Sequence, residues 1–109
     1  MIMTDRQSVA ANGVVNNAVA GKSGEFITEP CIVRLYGTAG AVGLNMSLIV
    51  GEEIDIDDQE VNAQNRMPIN PDDFIGEAGG LPGDRVILKY RNTTGAAIIA
   101  YSKIEIEPV

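Results

Sequence analysis

Apolar and polar side chains alternate with a period of two along much of the chain, which is the pattern of β-strands with one buried face. In residues 31–36, Cys31, Val33 and Leu35 share one face, and residues 42–50 repeat the alternation. No sustained helical spacing of apolar residues is present, and 12 Gly and 5 Pro recur too often for long helices. The pattern therefore predicts an all-β protein.

Further strands are predicted in the second half of the chain. Residues 52–57 alternate isoleucines with acidic residues, which is typical of an edge strand with one face in water. Residues 85–91 and 96–107 alternate clearly. Residues 58–84 are interrupted by proline and glycine and leave room for two short strands.

Glycine-rich turns predict how these strands connect. Residues 37–40 and 92–95 are each predicted to form a hairpin turn between the strands that flank them. A third hairpin is predicted near the start, with 13–20 and 25–27 as its strands and 21–24 as its turn.

The fold class follows from the number and spacing of these elements. Seven or eight short strands, with turn signals about every 8–12 residues, predict an antiparallel β-sandwich or jelly roll. A type II turn is expected at Pro82-Gly83, with Gly83 at positive φ. The chain of 109 residues is long enough for one core, so residues 1–109 are predicted to be a single domain. Residues 1–8 are expected to form an extended N-terminal arm.

Charge and composition narrow the range of partners. Fifteen acidic residues against eight basic ones give a net charge of −7, which disfavours nucleic acid and anionic membranes as partners. No apolar run approaches the roughly 20 residues that span a bilayer. The beginning of the chain lacks the pattern of a secretion signal, so intracellular synthesis is expected. Cys31 has no second cysteine with which to form an intrachain disulfide.

Residues for common catalytic chemistry are missing. The chain has no His, which removes the commonest general base and metal ligand. Gly21-Lys22-Ser23 matches only the end of a phosphate-binding loop, because Asn16 stands where that motif has Gly. We therefore expect no catalytic residues, no cofactor and no metal, although an enzyme that uses shifted carboxylates, Lys or Tyr stays an alternative.

Two binding functions are alternatives to a purely structural role. Six acidic residues could supply oxygen ligands to Ca²⁺, although they lack the glycine and spacing of an EF-hand: Glu52, Glu53, Asp55, Asp57, Asp58 and Glu60. A carbohydrate-binding module would use exposed aromatic rings, and the chain has no Trp, three Tyr and two Phe. The alternative is a soluble carbohydrate- or calcium-binding β-sandwich module.

Apolar residues in the N-terminal arm and in the long proline-rich segment are predicted to lie outside the core. Exposed apolar clusters often mark interfaces, so we expect a partner interface formed by Ile2, Met3, Met67, Pro68, Ile69, Pro71 and Phe74. The competing interpretation is that this segment simply folds over one open end of the sandwich.

The order of short turn sequences along the chain resembles that of a known family. A polar beginning and a Gly-rich hairpin are followed by residues 30–36, the loop 65–73, the phrase at 82–86 and the Asn-Thr-Thr-Gly phrase within 91–97. This arrangement is similar to the small jelly-roll cement or decoration proteins of tailed-phage capsids, and the similarity spans most of the chain.

The resemblance implies a structural virion protein, made in the host cytoplasm, that binds the outer surface of the capsid shell. Its expected partners are the major capsid protein, whose neighbouring subunits it would bridge, and itself as a homodimer or homotrimer. No catalytic residue or cofactor is carried over. The acidic charge fits the outside of the shell, since contact with the genome would favour Lys and Arg. A place in the tail or a spike is the alternative location.

Overall fold

Strands and their connections make up the whole of the structure, a computed structural model that describes residues 1–69 and 72–109. Within these residues no helix is present, and hence none that could cross a membrane. The strands are β1 (Ile2–Val9), β2 (Val14–Val15), β3 (Cys31–Ala39), β4 (Leu44–Val50), β5 (Glu53–Glu60), β6 (Phe74–Gly80), β7 (Val86–Asn92) and β8 (Ile98–Pro108).

Two four-stranded antiparallel sheets are formed from these strands. The first sheet has the order β1-β8-β3-β6 and the second has the order β2-β7-β4-β5. The pairs β1–β8, β2–β7, β3–β6 and β4–β5 are those of one long hairpin, and the pairs β3–β8 and β4–β7 form when that hairpin rolls up. This is the strand order of a jelly roll. The predicted all-β, antiparallel sandwich is confirmed.

The core lies between the two sheets, where the alternating apolar residues of each strand meet. Leu35 and Ile104 of the first sheet and Leu44, Leu48 and Leu88 of the second are almost completely removed from solvent. Burying each such side chain contributes about 1.5–3 kcal/mol. The period-two pattern therefore accounts for both the strands and their inward faces.

The predicted hairpins are wrong. Residues 37–39 continue β3, and β3 and β4 lie in different sheets. Asn92 ends β7, and β7 and β8 also lie in different sheets. Alternation indicates which face of a strand is buried, but it does not indicate in which of the two sheets the strand lies. Of the third predicted hairpin, 13–27, only one short strand forms, β2. The backbone groups of Glu25 and Ile27 instead form hydrogen bonds with the backbone of residues 83–86.

The expected N-terminal arm is also wrong, because residues 2–9 form β1 and pair with β8 over their full length. Met3 and Val9 are buried on the inward face. The two inward positions between them are polar, Asp5 and Gln7, and this interrupts the apolar alternation that would have predicted a strand.

The segment after β4 matches the predictions in part. β5 is an edge strand as predicted, and Gly83 has φ of +92°. Register irregularities between β4 and β5 leave Ile56 in the core and Ile54 59% exposed, although the pattern had placed them on one face. Among the described residues of 58–84, one strand that begins in this segment is present, β6, where two were predicted.

Candidate functional site

The connection between β5 and β6 folds back over the outer face of the first sheet. We call residues 61–69, 72 and 73 the β5–β6 loop. Its backbone pairs with the end of β3, since Ala39 N donates to Asn62 O at 2.9 Å and Asn65 N donates to Ala39 O at 3.0 Å. Thr38 faces outward on β3 but is fully buried by the loop, and its hydroxyl donates to Arg66 O. The loop is therefore attached to the sheet by its main chain.

A tyrosine of β8 extends this attachment. The hydroxyl of Tyr101 donates to Asn65 Oδ1 at 3.0 Å. Its ring is buried on the outer face of the sheet, with the guanidinium carbon of Arg6 5.6 Å from the ring centroid. Asn65 itself has φ of +46°, a conformation that asparagine tolerates better than most residues. The turn at Asn65 is thus fixed by both backbone and side-chain contacts.

A buried carboxylate closes the loop at its other end. Asp73 Oδ2 accepts hydrogen bonds from Ile69 N at 2.9 Å and from Arg66 Nη2 at 3.2 Å. The backbone of Asp73 bonds as well, because its N donates to Ile69 O and its O accepts from Gly37 N. The side chain of Asp73 is almost fully buried, whereas that of Arg66 is 41% exposed, so the carboxylate is enclosed mainly by the loop backbone that it bonds.

Three apolar side chains in and next to the β5–β6 loop are partly exposed to solvent. Met67, Ile69 and Phe74 are each between 37% and 45% exposed. The ring of Phe74 packs edge to face against Tyr36 at 5.5 Å between centroids, and Lys103 Nζ lies 4.5 Å from the centroid of Tyr36. We call Met67, Ile69 and Phe74 the apolar tip.

The predicted interface residues divide into three groups. Exposed as predicted are Ile2, Met67, Ile69 and Phe74. The prediction of exposure is wrong for Met3, which packs in the core, and for Pro68, which is also buried. Pro71 lies outside the described residues. Ile2 lies apart from the β5–β6 loop. It is four positions along β1, about 14 Å, from Arg6, the residue that contacts Tyr101 beside the loop.

The sequence did not indicate a second apolar surface at the opposite end of β3. We call it the basal groove, and its apolar lining consists of Met1, Phe26, Ile27, Cys31, Ile106 and Pro108. Leu81 is 64% exposed beside it, in the neighbouring cleft that Cys31 also lines. Cys31 and Ala39 are the two ends of β3, about 27 Å apart. The alternation pattern does not predict the exposure of Phe26, because it places this residue in a hairpin strand.

The acidic segment that suggested calcium does not gather its carboxylates. Asp58 is bound by Arg91, with 2.9 Å between Nε and Oδ1, and this contact lowers the pKa of Asp58. Burial, together with the charge of Glu53, raises the pKa of Asp55. Across residues 1–69 and 72–109, no three Cys, Asp or Glu side chains are arranged to hold a metal ion.

The tyrosines that a carbohydrate site would need are covered. Tyr36, Tyr90 and Tyr101 are all buried. Tyr90 reaches from β7 across the core, where its hydroxyl donates to Asp5 Oδ2 at 2.8 Å and lies 2.6 Å from Ser102 Oγ. Burial raises the pKa of Tyr90 above its usual range. This buried group links the two sheets.

Comparisons with known proteins give no relative. No family model matches the chain, and searches of the curated proteins and of the solved structures found no significant match. The strand order and the two apolar surfaces are therefore the observations that bear on function.

Proposed function

We propose that the protein is a structural virion protein, a decoration or cement protein that binds the outside of the major capsid shell and bridges neighbouring subunits. The observation that carries the proposal is the pair of exposed apolar surfaces at the two ends of β3, the apolar tip and the basal groove. A bridging protein needs two contact surfaces that reach different subunits. Phe74 of the apolar tip pairs with Tyr36, five strand positions or about 17 Å from Cys31 in the basal groove.

The attachment of the β5–β6 loop suits such a role. Binding costs less free energy when the contacting segment is already ordered, and this loop is held by Thr38, Tyr101 and Asp73. Two modest contacts on adjacent subunits also reinforce each other, because the second forms within an existing complex.

The charge and the strand order are compatible with this position. A net charge of −7 disfavours the genome side of a shell, where Lys and Arg would be expected. Jelly rolls occur in viral capsid and lectin domains. The three tyrosines are buried, so the exposed aromatic rings are those of Phe26 and Phe74, which lie in different apolar surfaces and do not form one carbohydrate platform. The capsid role is therefore better supported than carbohydrate binding.

The first test is the quantity of this protein in purified virions of the source, measured by quantitative mass spectrometry. We expect a copy number that matches the icosahedral symmetry of the shell, and we expect mild denaturant to strip the protein while shells stay intact. A few copies per particle would indicate the tail or a spike instead, and absence from particles would contradict the proposal.

Rebinding to stripped shells tests the two apolar surfaces. Ile69→Lys at the apolar tip and Leu81→Lys beside the basal groove should each weaken binding by about tenfold or more, since each places a charge in an apolar contact. The matched control is Val42→Lys, which changes an exposed apolar residue that belongs to neither surface and should retain binding. Equal binding by all three variants would contradict the assignment of these surfaces.

A further inference from the structure

The outer face of the second sheet carries a row of apolar side chains, although these side chains are not part of the core. Ile87 of β7 pairs with Ile49 of β4, and Ile49 pairs with Ile54 of β5, so the three isoleucines lie side by side across the sheet. Ile54 is 59% exposed and the other two are half-buried. The outer face of an antiparallel sheet is ordinarily polar, so this row is a candidate contact surface.

The remaining outward positions divide into columns of opposite charge. Lys89 and Arg91 lie on β7, at one side of the face. Asp57, Asp58 and Glu60 lie on β5, at the other side. Between them β4 presents only uncharged side chains, since Asn45 and Ser47 continue the column that contains Ile49.

We infer that this face binds a second copy of the chain about a two-fold axis that runs along β4. Rotation about that axis exchanges the two sides of the face and preserves the position along the strands. The basic column of each copy then lies over the acidic column of the other, and the isoleucine row of one copy lies on that of its partner. A surface of this kind is self-complementary, as a two-fold interface requires.

The orientation of the axis is fixed by the same two features. An axis perpendicular to the strands cannot satisfy both features. Placed at the charged positions, it stacks the basic column on the partner's basic column and separates the isoleucine rows; placed at the isoleucine row, it leaves both charged columns without opposite charges. Like charges in direct opposition are destabilising. Of the two in-plane directions, only the axis along β4 brings opposite charges and apolar rows together.

Local charge balance permits this contact in an acidic protein. The chain as a whole has a net charge of −7 and would repel its copy. Within the face, two basic side chains stand against three acidic ones, and Arg91 is already bound to Asp58 of its own chain. Lys89 and Asp57, which line the same depression between the columns, are therefore the principal pair across the interface.

The size of the face predicts a weak dimer. Residues 45–49 span about 14 Å along the strands, and four strands span about 14 Å across them. That footprint is below the roughly 800 Å² per partner of a standard stable interface. We therefore expect monomer at low concentration and dimer at high concentration. The association does not depend on the proposed capsid role.

Sedimentation equilibrium of the full chain tests the dimer. Between about 10 µM and about 1 mM, a range suited to a small interface, the mass should rise from 11.6 kDa toward twice that value. Ile54→Lys should stay monomeric. Its matched control is Ile2→Lys, a 60% exposed isoleucine on the outer face of the other sheet, which should dimerise like the wild type.

A charge-swap pair tests the geometry. Lys89→Glu and Asp57→Lys should each be monomeric, because both copies of the principal pair across the interface then carry like charges. Their equimolar mixture should form a heterodimer, since both pairs again carry opposite charges. Thermal melts of each variant confirm that it is folded.

Three results would overturn the inference: a wild type that is monomeric at every concentration, a dimer that persists in Ile54→Lys, or a mixture that associates no better than its components. No shells are used, so failure here is distinguishable from failure of the capsid proposal.

Discussion

At the scale of single residues, Asn92 organises the point where the chain crosses between the sheets. Its amide nitrogen donates to the carbonyl oxygens of Val9, Ala10 and Ala96, at 3.1, 3.2 and 2.7 Å. Its side-chain oxygen accepts from the backbone N and the hydroxyl of Thr94. One buried side chain thus satisfies polar groups from both crossing connections, β1–β2 and β7–β8.

Substitution of this residue should be costly. Asn92→Ala leaves buried carbonyls without donors and is expected to lower the free energy of unfolding by about 2–3 kcal/mol. Urea unfolding measures the change. Asn16→Ala, at an exposed asparagine, is the control and should change the free energy by less than about 0.5 kcal/mol. Similar values for the two variants would show that the Asn92 contacts contribute little.

At the scale of elements, strands were predictable where apolar residues occupy every inward position, and their partners were not. Residues 31–36 and 85–91 were found for that reason, whereas β1 was missed because of the inward Asp5. Pairing also depends on contacts that no pattern reveals. The side chain of Asn17 bonds to Val86 O and Leu88 N, replacing a strand along β7.

The candidate site was predictable to a similar extent. The proline-rich composition around 67–74 indicated exposed apolar residues, and three of them form the apolar tip. The anchors were not predictable, because Thr38 was placed in a hairpin turn and Tyr101 occupies an outward position of its strand, which alternation assigns to solvent. Their burial depends on a loop that returns from a distant part of the sequence.

Loss of one anchor should loosen the β5–β6 loop and leave the sheets intact. Asp73→Ala removes the acceptor of Ile69 N and the partner of Arg66, so the amides of residues 61–69 should exchange with solvent about tenfold faster or more. Hydrogen exchange by mass spectrometry measures this, with peptides from β4 as the internal reference. Asp72→Ala, at an exposed neighbour, should leave the loop unchanged. Unchanged exchange in Asp73→Ala would contradict the clamping role of Asp73.

At the scale of the whole molecule, the sheets are joined through the core by the hydrogen bonds of Tyr90 as well as by apolar packing. Burial raises the pKa of this tyrosine in the folded protein. The unfolded chain therefore loses the Tyr90 proton first, and this group's contribution to stability is complete below about pH 10 and declines as the pH rises further.

Tyr90→Phe should reveal this contribution. At about pH 7 it is expected to lower the free energy of unfolding by about 1–2 kcal/mol, because Asp5 and Ser102 lose a partner. Above about pH 10 the variant should lose stability less steeply than the wild type. Urea unfolding across this range measures both effects, and parallel pH profiles for the two proteins would contradict the assignment.

The pairing of β1 with β8 has a mechanical consequence. Met1 N donates to Ile106 O and Ile106 N donates to Met1 O, so Met1 lies beside the end of β8. A force that pulls these two points apart would load the antiparallel ladder one rung at a time, as in a zipper. The fold should therefore open under tension from the basal groove toward the apolar tip, whereas a force along the strands, applied at opposite ends of β1 and β8, would load many hydrogen bonds at once.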